Sequence, residues 1–292
     1  MAQISGRGLS RLVTTAVAVA LVGGSAGVAA AQTTGEQAAA AKKPSASAPV
    51  FRVGAITDKT DKFYVYEVDG KGGLKARQFA DGNWKNVRQV ANVDRDGDGR
   101  QDGTFYVENS DLKFIGSAGK ARNVVPDYGF FYRGLISPGN LGGSQQSDLV
   151  ALSKGGTAQV ATVRDNGTIS GETRLGGAEW GTYVDLAGRG DLTGDKKTDI
   201  VARDTKGVLW LYKGTGNAKK PFEARTKVGG GWGKYTKLFS NGDLNGDGRS
   251  DLLAVDKQGA LFLYKGTGKQ AAPFKAPVKI GNSGWNQYRL VF

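Results

Sequence analysis

Four carboxylates fall within nine residues in Asp94-Arg-Asp96-Gly-Asp98-Gly-Arg100-Gln-Asp102, at positions 1, 3, 5 and 9. Packed that closely, they repel one another unless a cation neutralises them. Gly99, at position 6, supplies the sharp turn that lets the first three converge with the backbone carbonyl of Arg100. The expected occupant is calcium, a hard cation that takes oxygen ligands. The loop is not an EF-hand, because the twelfth-position Glu and the flanking helices are missing. The competing reading is a solvated Asp-rich turn.

The spacing recurs. Asp243, Asn245, Asp247, Gly248, the carbonyl of Arg249 and Asp251 repeat it with one fewer charge and the same oxygen donors. Asp191, Thr193, Asp195 and Asp199 keep the frame, but Lys196 stands where the glycine should be, so weak or absent binding is expected there. Asn140, Gly142, Ser144 and Asp148 retain one acid and read as a degenerate turn without an ion. Loops of this kind in extracellular modules bind calcium with dissociation constants of about 10⁻⁴ to 10⁻³ M, and the effect should be added stability, not switching.

Other chemistry is narrowed by what the chain lacks. It contains no His and no Cys. That removes an ordinary zinc site, a thiolate nucleophile and an imidazole base. The carboxylate clusters are already assigned to metal loops, so a non-catalytic binding protein is expected. Lys213-Gly-Thr-Gly216 and Lys265-Gly-Thr-Gly268 lack the preceding glycine and the following helix of a phosphate loop, and read as hairpin turns. The formal charge is +13, which favours anionic partners. The basic residues are scattered, however, and no nucleic-acid module is recognisable.

These loops must be held by a repeated unit. Trp180-Gly-Thr-Tyr183 recurs as Trp232-Gly-Lys-Tyr235 and Trp285-Asn-Gln-Tyr288, at spacings of 52 and 53 residues. Tyr128 lies 52 residues before Trp180, and Trp84 lies 44 before Tyr128. Each unit reads as four short strands, such as 235–240, 251–256, 260–265 and 274–280, and no helix is required. In 208–212 both faces are apolar, as in Val-Leu-Trp-Leu-Tyr, so both must be covered. A period of this length with four strands is the sequence form of a propeller blade. The segment 51–83 supplies three strands, and 285–292 supplies one. Pairing them gives an all-β, five-bladed β-propeller closed by its C-terminal strand in the N-terminal blade, with no exposed edge.

Ahead of the repeats, Arg7 and Arg11 precede an apolar stretch from Leu12 to Val22 and an Ala29-Ala-Ala31 run. This is the pattern of a cleaved signal peptide over 1–31. Residues 32–50, rich in Ala, Lys, Ser and Pro, read as a flexible linker. The propeller then occupies 51–292. Without Arg7 and Arg11 the basic residues number 38 against 27 acidic, or +11. A secreted, extracellular monomer with no membrane span is expected.

The blade-junction phrases Val228-Gly-Gly-Gly-Trp232-Gly-Lys-Tyr235 and Lys279-Ile-Gly-Asn-Ser-Gly-Trp285-Asn-Gln-Tyr288 resemble those of tachylectin-like lectins. The acidic loops resemble FG-GAP and VCBS-type repeats. The resemblance spans 51–292 and implies a five-bladed propeller that binds N-acetylated sugars at shallow sites, one per blade junction. The lectins' Asn-Trp phrase before the fourth strand is replaced here by Phe222-Glu-Ala-Arg225 and Phe274-Lys-Ala-Pro277. Junction candidates are therefore Trp180, Tyr183, Phe222 and Arg225, then Trp232, Tyr235 and Phe274, and finally Trp285. The indoles have packing between blades as their other role. N-acetylated or cell-wall glycans are the expected ligands; the alternative is contact with another protein, or a structural scaffold without sugar binding.

Overall fold

The protein is described by a computed structural model over residues 48–117, 119–142 and 144–292. The signal peptide and residues 32–47 of the expected linker lie outside the described residues.

Strands with apolar residues on both sides have to be sandwiched. Twenty strands do this as five four-stranded antiparallel sheets. Blade 1 takes β1 (Val53–Thr57), β2 (Phe63–Tyr66) and β3 (Gln78–Asp81), with β20 (Tyr288–Val291) on its inner side. Blade 2 comprises β4 (Val87–Val93), β5 (Gly103–Glu108), β6 (Asp111–Gly116) and β7 (Ala121–Val125). Blade 3 comprises β8 (Tyr132–Gly139), β9 (Asp148–Ser153), β10 (Ala158–Val163) and β11 (Ile169–Leu175). Blade 4 comprises β12 (Tyr183–Ala187), β13 (Ile200–Asp204), β14 (Leu209–Tyr212) and β15 (Thr226–Gly229). Blade 5 comprises β16 (Tyr235–Gly242), β17 (Asp251–Asp256), β18 (Leu261–Tyr264) and β19 (Val278–Gly281). The expected propeller and its closure are both present.

Closure is a ladder between the two ends of the ring. Ala55 faces Val291 and Ile56 faces Leu290, and Gly54 and Phe292 exchange backbone hydrogen bonds of 2.6 and 2.9 Å. Phe292 then stacks on Phe63 at 5.6 Å. The core is not central. It consists of five apolar layers, one at each junction between neighbouring blades.

Three features differ from the sequence expectation. Among the described residues one helical turn is present, α1 (Tyr128–Phe131), and short 3₁₀ turns at Ala178–Thr182, Trp232–Lys234 and Trp285–Gln287 carry the repeated indoles into the strands they precede. A period-2 reading cannot register a single turn of this length. The fourth strand of blade 5 also begins at Val278, with Phe274 outside it in an isolated bridge to Gly266. Finally, Pro49 and Val50 are tied into the ring: Asp243 donates its N–H to Pro49 O at 2.9 Å, and Val50 donates to Gly99 O at 3.2 Å. Phe51 follows, buried, with the Arg189 guanidinium 3.9 Å above its ring in the central channel. Arg189 also donates to Asn92 O, so one side chain ties the entering segment and blades 2 and 4.

Among the described residues no helix is long and apolar enough to cross a membrane.

Deleting residues 288–292 should leave the inner edge of β1 unpaired and uncover the Trp285 and Phe63 layers. The expected outcome is a large fall in melting temperature, with higher-order species on size-exclusion chromatography. The single substitution Tyr288→Ala, at a ring that is 1% exposed, should cost about 3–5 kcal/mol in a denaturant titration.

Candidate functional site

Each acidic loop joins the innermost strand of a blade to the next, and its first residue organises it. Asp94 accepts Gly97 N–H at 2.7 Å and Gly99 N–H at 2.8 Å. Asp191 and Asp243 accept the equivalent amides of Gly194 and Lys196, and of Gly246 and Gly248. Asn140 accepts Gly142 N–H two residues on, as Asp191 accepts Thr193 N–H and Asp243 accepts Asn245 N–H. Positions 3 and 5 accept amides two residues on: Asp98 N–H points to Asp96, Arg100 N–H to Asp98, Asp247 N–H to Asn245 and Arg249 N–H to Asp247.

Carboxylate oxygens of Asp94, Asp96 and Asp98 lie within 4.8 Å of one another, as do those of Asp191, Asp195 and Asp199. Both are all-oxygen donor sets that suit a hard cation. In the second, Thr193 Oγ1 is buried and makes no hydrogen bond among the described residues, while Lys213 Nζ sits 3.3 Å from Asp195. An ammonium therefore already occupies part of the field there. Lys196 takes a left-handed φ of 66° in place of the usual glycine. Among the described residues the three acids of the blade 5 loop, Asp243, Asp247 and Asp251, form no such cluster, and its third position is Asn245. Its Nδ2 approaches Asp251 at 3.5 Å.

The ninth position does something else. Asp199 accepts Leu192 N–H at 2.9 Å on one oxygen and Gly214 N–H at 2.8 Å on the other, so it pins its loop to the turn after the third strand. Asp251 does the same with Leu244 and Gly266. Gly214 and Gly266 are the glycines of the Lys-Gly-Thr-Gly turns, and a Cβ on either would collide with the carbonyl oxygen of Thr198 or Ser250. Asp148 has the same role in a loop that lacks the other acids, accepting Leu141 and Val163 N–H. Asp102 differs, accepting Arg95 N–H and pairing with its guanidinium at 3.4 Å. Burial outweighs these donors and pushes Asp102, Asp199 and Asp251 up to about 6 and Asp148 up to about 7.

The loops also abut the following blade. A Cβ on Gly142 or Gly194 would strike the carbonyl of Gly216 or Gly268 in the next one.

The aromatic candidates sort into three equivalent junctions. Trp180 stacks on Tyr212 at 4.7 Å, Trp232 on Tyr264 at 4.6 Å and Trp285 on Tyr66 at 4.8 Å. In each, two tyrosine hydroxyls meet: Tyr183 with Tyr212 at 2.7 Å, Tyr235 with Tyr264 at 2.6 Å and Tyr288 with Tyr66 at 2.6 Å. The indoles of Trp180, Trp232 and Trp285 are 2%, 8% and 7% exposed. They are spent on packing, and what faces outward is the polar edge beside them. Trp84, on Phe63 at 4.7 Å, is buried in the same way.

Arg225 provides that edge at the junction of blades 3 and 4. It donates to the Tyr183 hydroxyl at 2.5 Å and lies 4.1 Å over the Trp210 ring. Arg77, absent from the sequence-derived set, repeats the arrangement at the junction of blades 5 and 1. It donates to Tyr288 at 3.0 Å and sits 4.5 Å over Tyr64. Its signal was available, since Leu74-Lys-Ala-Arg77 matches Phe222-Glu-Ala-Arg225. Phe274 packs with Tyr264, but Pro277 removes the arginine from that junction. Beside Arg225 opens a cleft of about 320 Å³, lined by Trp180, Tyr212, Phe222, Glu179 and Arg174.

No family model and no curated protein matches the chain. Among solved structures it is similar to the BP39L lectin from Burkholderia pseudomallei, at 18% identity and TM-score 0.48, over 82% of this chain and 71% of that one. AofleA from Arthrobotrys oligospora gives 11% identity and TM-score 0.46, over 82% and 75%. Human WBSCR16 gives 11% and 0.38, over 80% and 65%. The five blades rest on the strand pairing itself, not on these likenesses.

Asp148 yields a pH prediction free of any metal. Its folded pKa of about 7 exceeds the unfolded value of 3.8, so the native state binds the extra proton between those limits. Its stabilising contribution is complete below the unfolded value and is lost as pH rises through about 7. In chelator, the melting-temperature advantage of the wild type over Asp148→Asn should therefore shrink from pH 5 to pH 8; an advantage that grew would contradict the burial argument.

Proposed function

We propose that this chain is a secreted, non-catalytic, lectin-like binding protein that recognises N-acetylated or cell-wall glycans on a calcium-stabilised propeller. The observation that carries the reading is the cleft at the junction of blades 3 and 4. A sugar needs donors and acceptors at fixed angles beside an apolar wall. Arg225 presents guanidinium N–H groups whose direction is fixed by Trp210 and Tyr183. Glu179 supplies an acceptor, and Phe222 supplies the wall, backed by the packed Trp180. The sequence resemblance to tachylectin-like junctions supports the same ligand class. Calcium at Asp94, Asp96 and Asp98 would neutralise three converging carboxylates beside the segment that enters the ring at Val50.

Residues 32–292 on a glycan array, with calcium and with chelator, test the ligand. Arg225→Ala should abolish or strongly reduce binding at unchanged melting temperature, and a folded protein that binds no glycan in either condition would remove the reading. Separately, millimolar calcium should raise the melting temperature of the wild type, and Asp98→Asn should lose most of that rise.

A further inference from the structure

Two clefts flank β11, the outermost strand of blade 3: Leu175 lies on the face turned toward blade 4, while Arg174 and Gln159 lie on the face turned toward blade 2. The first is the junction cleft described above. The second, of about 400 Å³, is lined by Phe130, Phe131, Tyr132, Gln159, Lys154 and Arg174. Arg174 lines both clefts and stands opposite Gln159 in the β10–β11 register.

The charges of this region are unequal. Lys219 and Lys220 line the first cleft together with Arg174. Among the described residues none of these three has a carboxylate within ion-pair distance. The two acids in the same cleft face other groups: Glu223 lies 3.8 Å from Lys213, and Glu179 is 3.5 Å from the Tyr212 hydroxyl. No acid lines the second cleft, where Lys154 donates to Gly129 O at 2.8 Å and is held beside the aromatic pair. Phe130 and Phe131 are each 64% exposed, which leaves their rings open to an apolar ligand face. A sugar ring offers such a face, and its acidic substituents would meet the unpaired cations.

We propose that one acidic glycan, a sugar chain bearing carboxylate or sulfate groups, occupies both clefts as a continuous groove around the outer edge of blade 3, crossing that edge at Arg174. This rests on the glycan-binding reading above and adds the charge and length of the ligand.

Isothermal titration calorimetry of residues 32–292 tests it with oligogalacturonate, its methyl ester of equal length, digalacturonate, and a sulfated neutral oligosaccharide. Oligogalacturonate should bind about tenfold more tightly than its ester, and digalacturonate markedly more weakly than the longer chain. Arg174→Ala should cost about tenfold with an unchanged melting temperature, whereas Lys257→Ala, an exposed cation in blade 5, should cost nothing. Preference for the sulfated chain over oligogalacturonate, with the same Arg174 dependence, keeps the groove and names sulfate as the anion. Equal binding of the ester, or equal losses in the Arg174 and Lys257 variants, overturns the acidic groove. In that event N-acetylated sugar binding that still depends on Arg225 leaves the broader reading standing, and a folded protein that binds none of these glycans removes both.

Discussion

A sheet with apolar side chains on both faces can leave water only by lying between two others. That constraint acts on every blade of this chain. Leu209 and Leu211 pack toward blade 5, while Tyr212 packs toward blade 3 with Trp180. Five such sheets satisfy one another only as a ring, and the ring decides where everything else sits. Junctions become the places where two blades meet with a polar margin. The loops leaving the innermost strands cluster near the channel.

Two chemical surfaces follow from that layout. Near the channel mouth, acidic loops are organised by backbone amides, tied to the following turn by a buried aspartate and pressed against the next blade by glycines. Along the outside of blades 3 and 4, cations that have no carboxylate partner among the described residues lie beside aromatic rings. Opposite charge is thus separated on a protein whose overall balance is basic. The ninth-position aspartates show why part of the acidic frame remains where the other acids are missing. Asp148 persists in a loop that has lost the other acids because its two oxygens hold strand ends together.

The sequence made the ring legible because its signals are periodic and redundant. The gapless match of 190–216 with 242–268 forces a common backbone, and an unpaired first strand at 285–292 beside a blade missing one leaves a single economical pairing. The candidate site was only partly legible. Residue type alone cannot say whether an indole is buried or displayed, and Trp180, Trp232 and Trp285 are buried because a tyrosine stacks on each. Arg77 was readable from its phrase but lay in the incomplete first unit. Arg174, Lys219 and Phe131 come from different segments and meet only in three dimensions, so no local pattern could assemble them. The helical turn at Tyr128 and the anchoring of Pro49 are decided by tertiary hydrogen bonds that composition does not encode.

The ladder between β20 and β1 also orders events in time. Its two strands come from opposite ends of the propeller, so this ladder cannot form before β20 has been made. A chain emerging from its N-terminus first carries β1 with an open edge until β20 has been made, and nothing local can satisfy that edge sooner. A truncated copy never satisfies it. The same ladder that seals the mature ring thereby acts as a completeness check, leaving shortened chains with the exposed strand that proteases and aggregation act on.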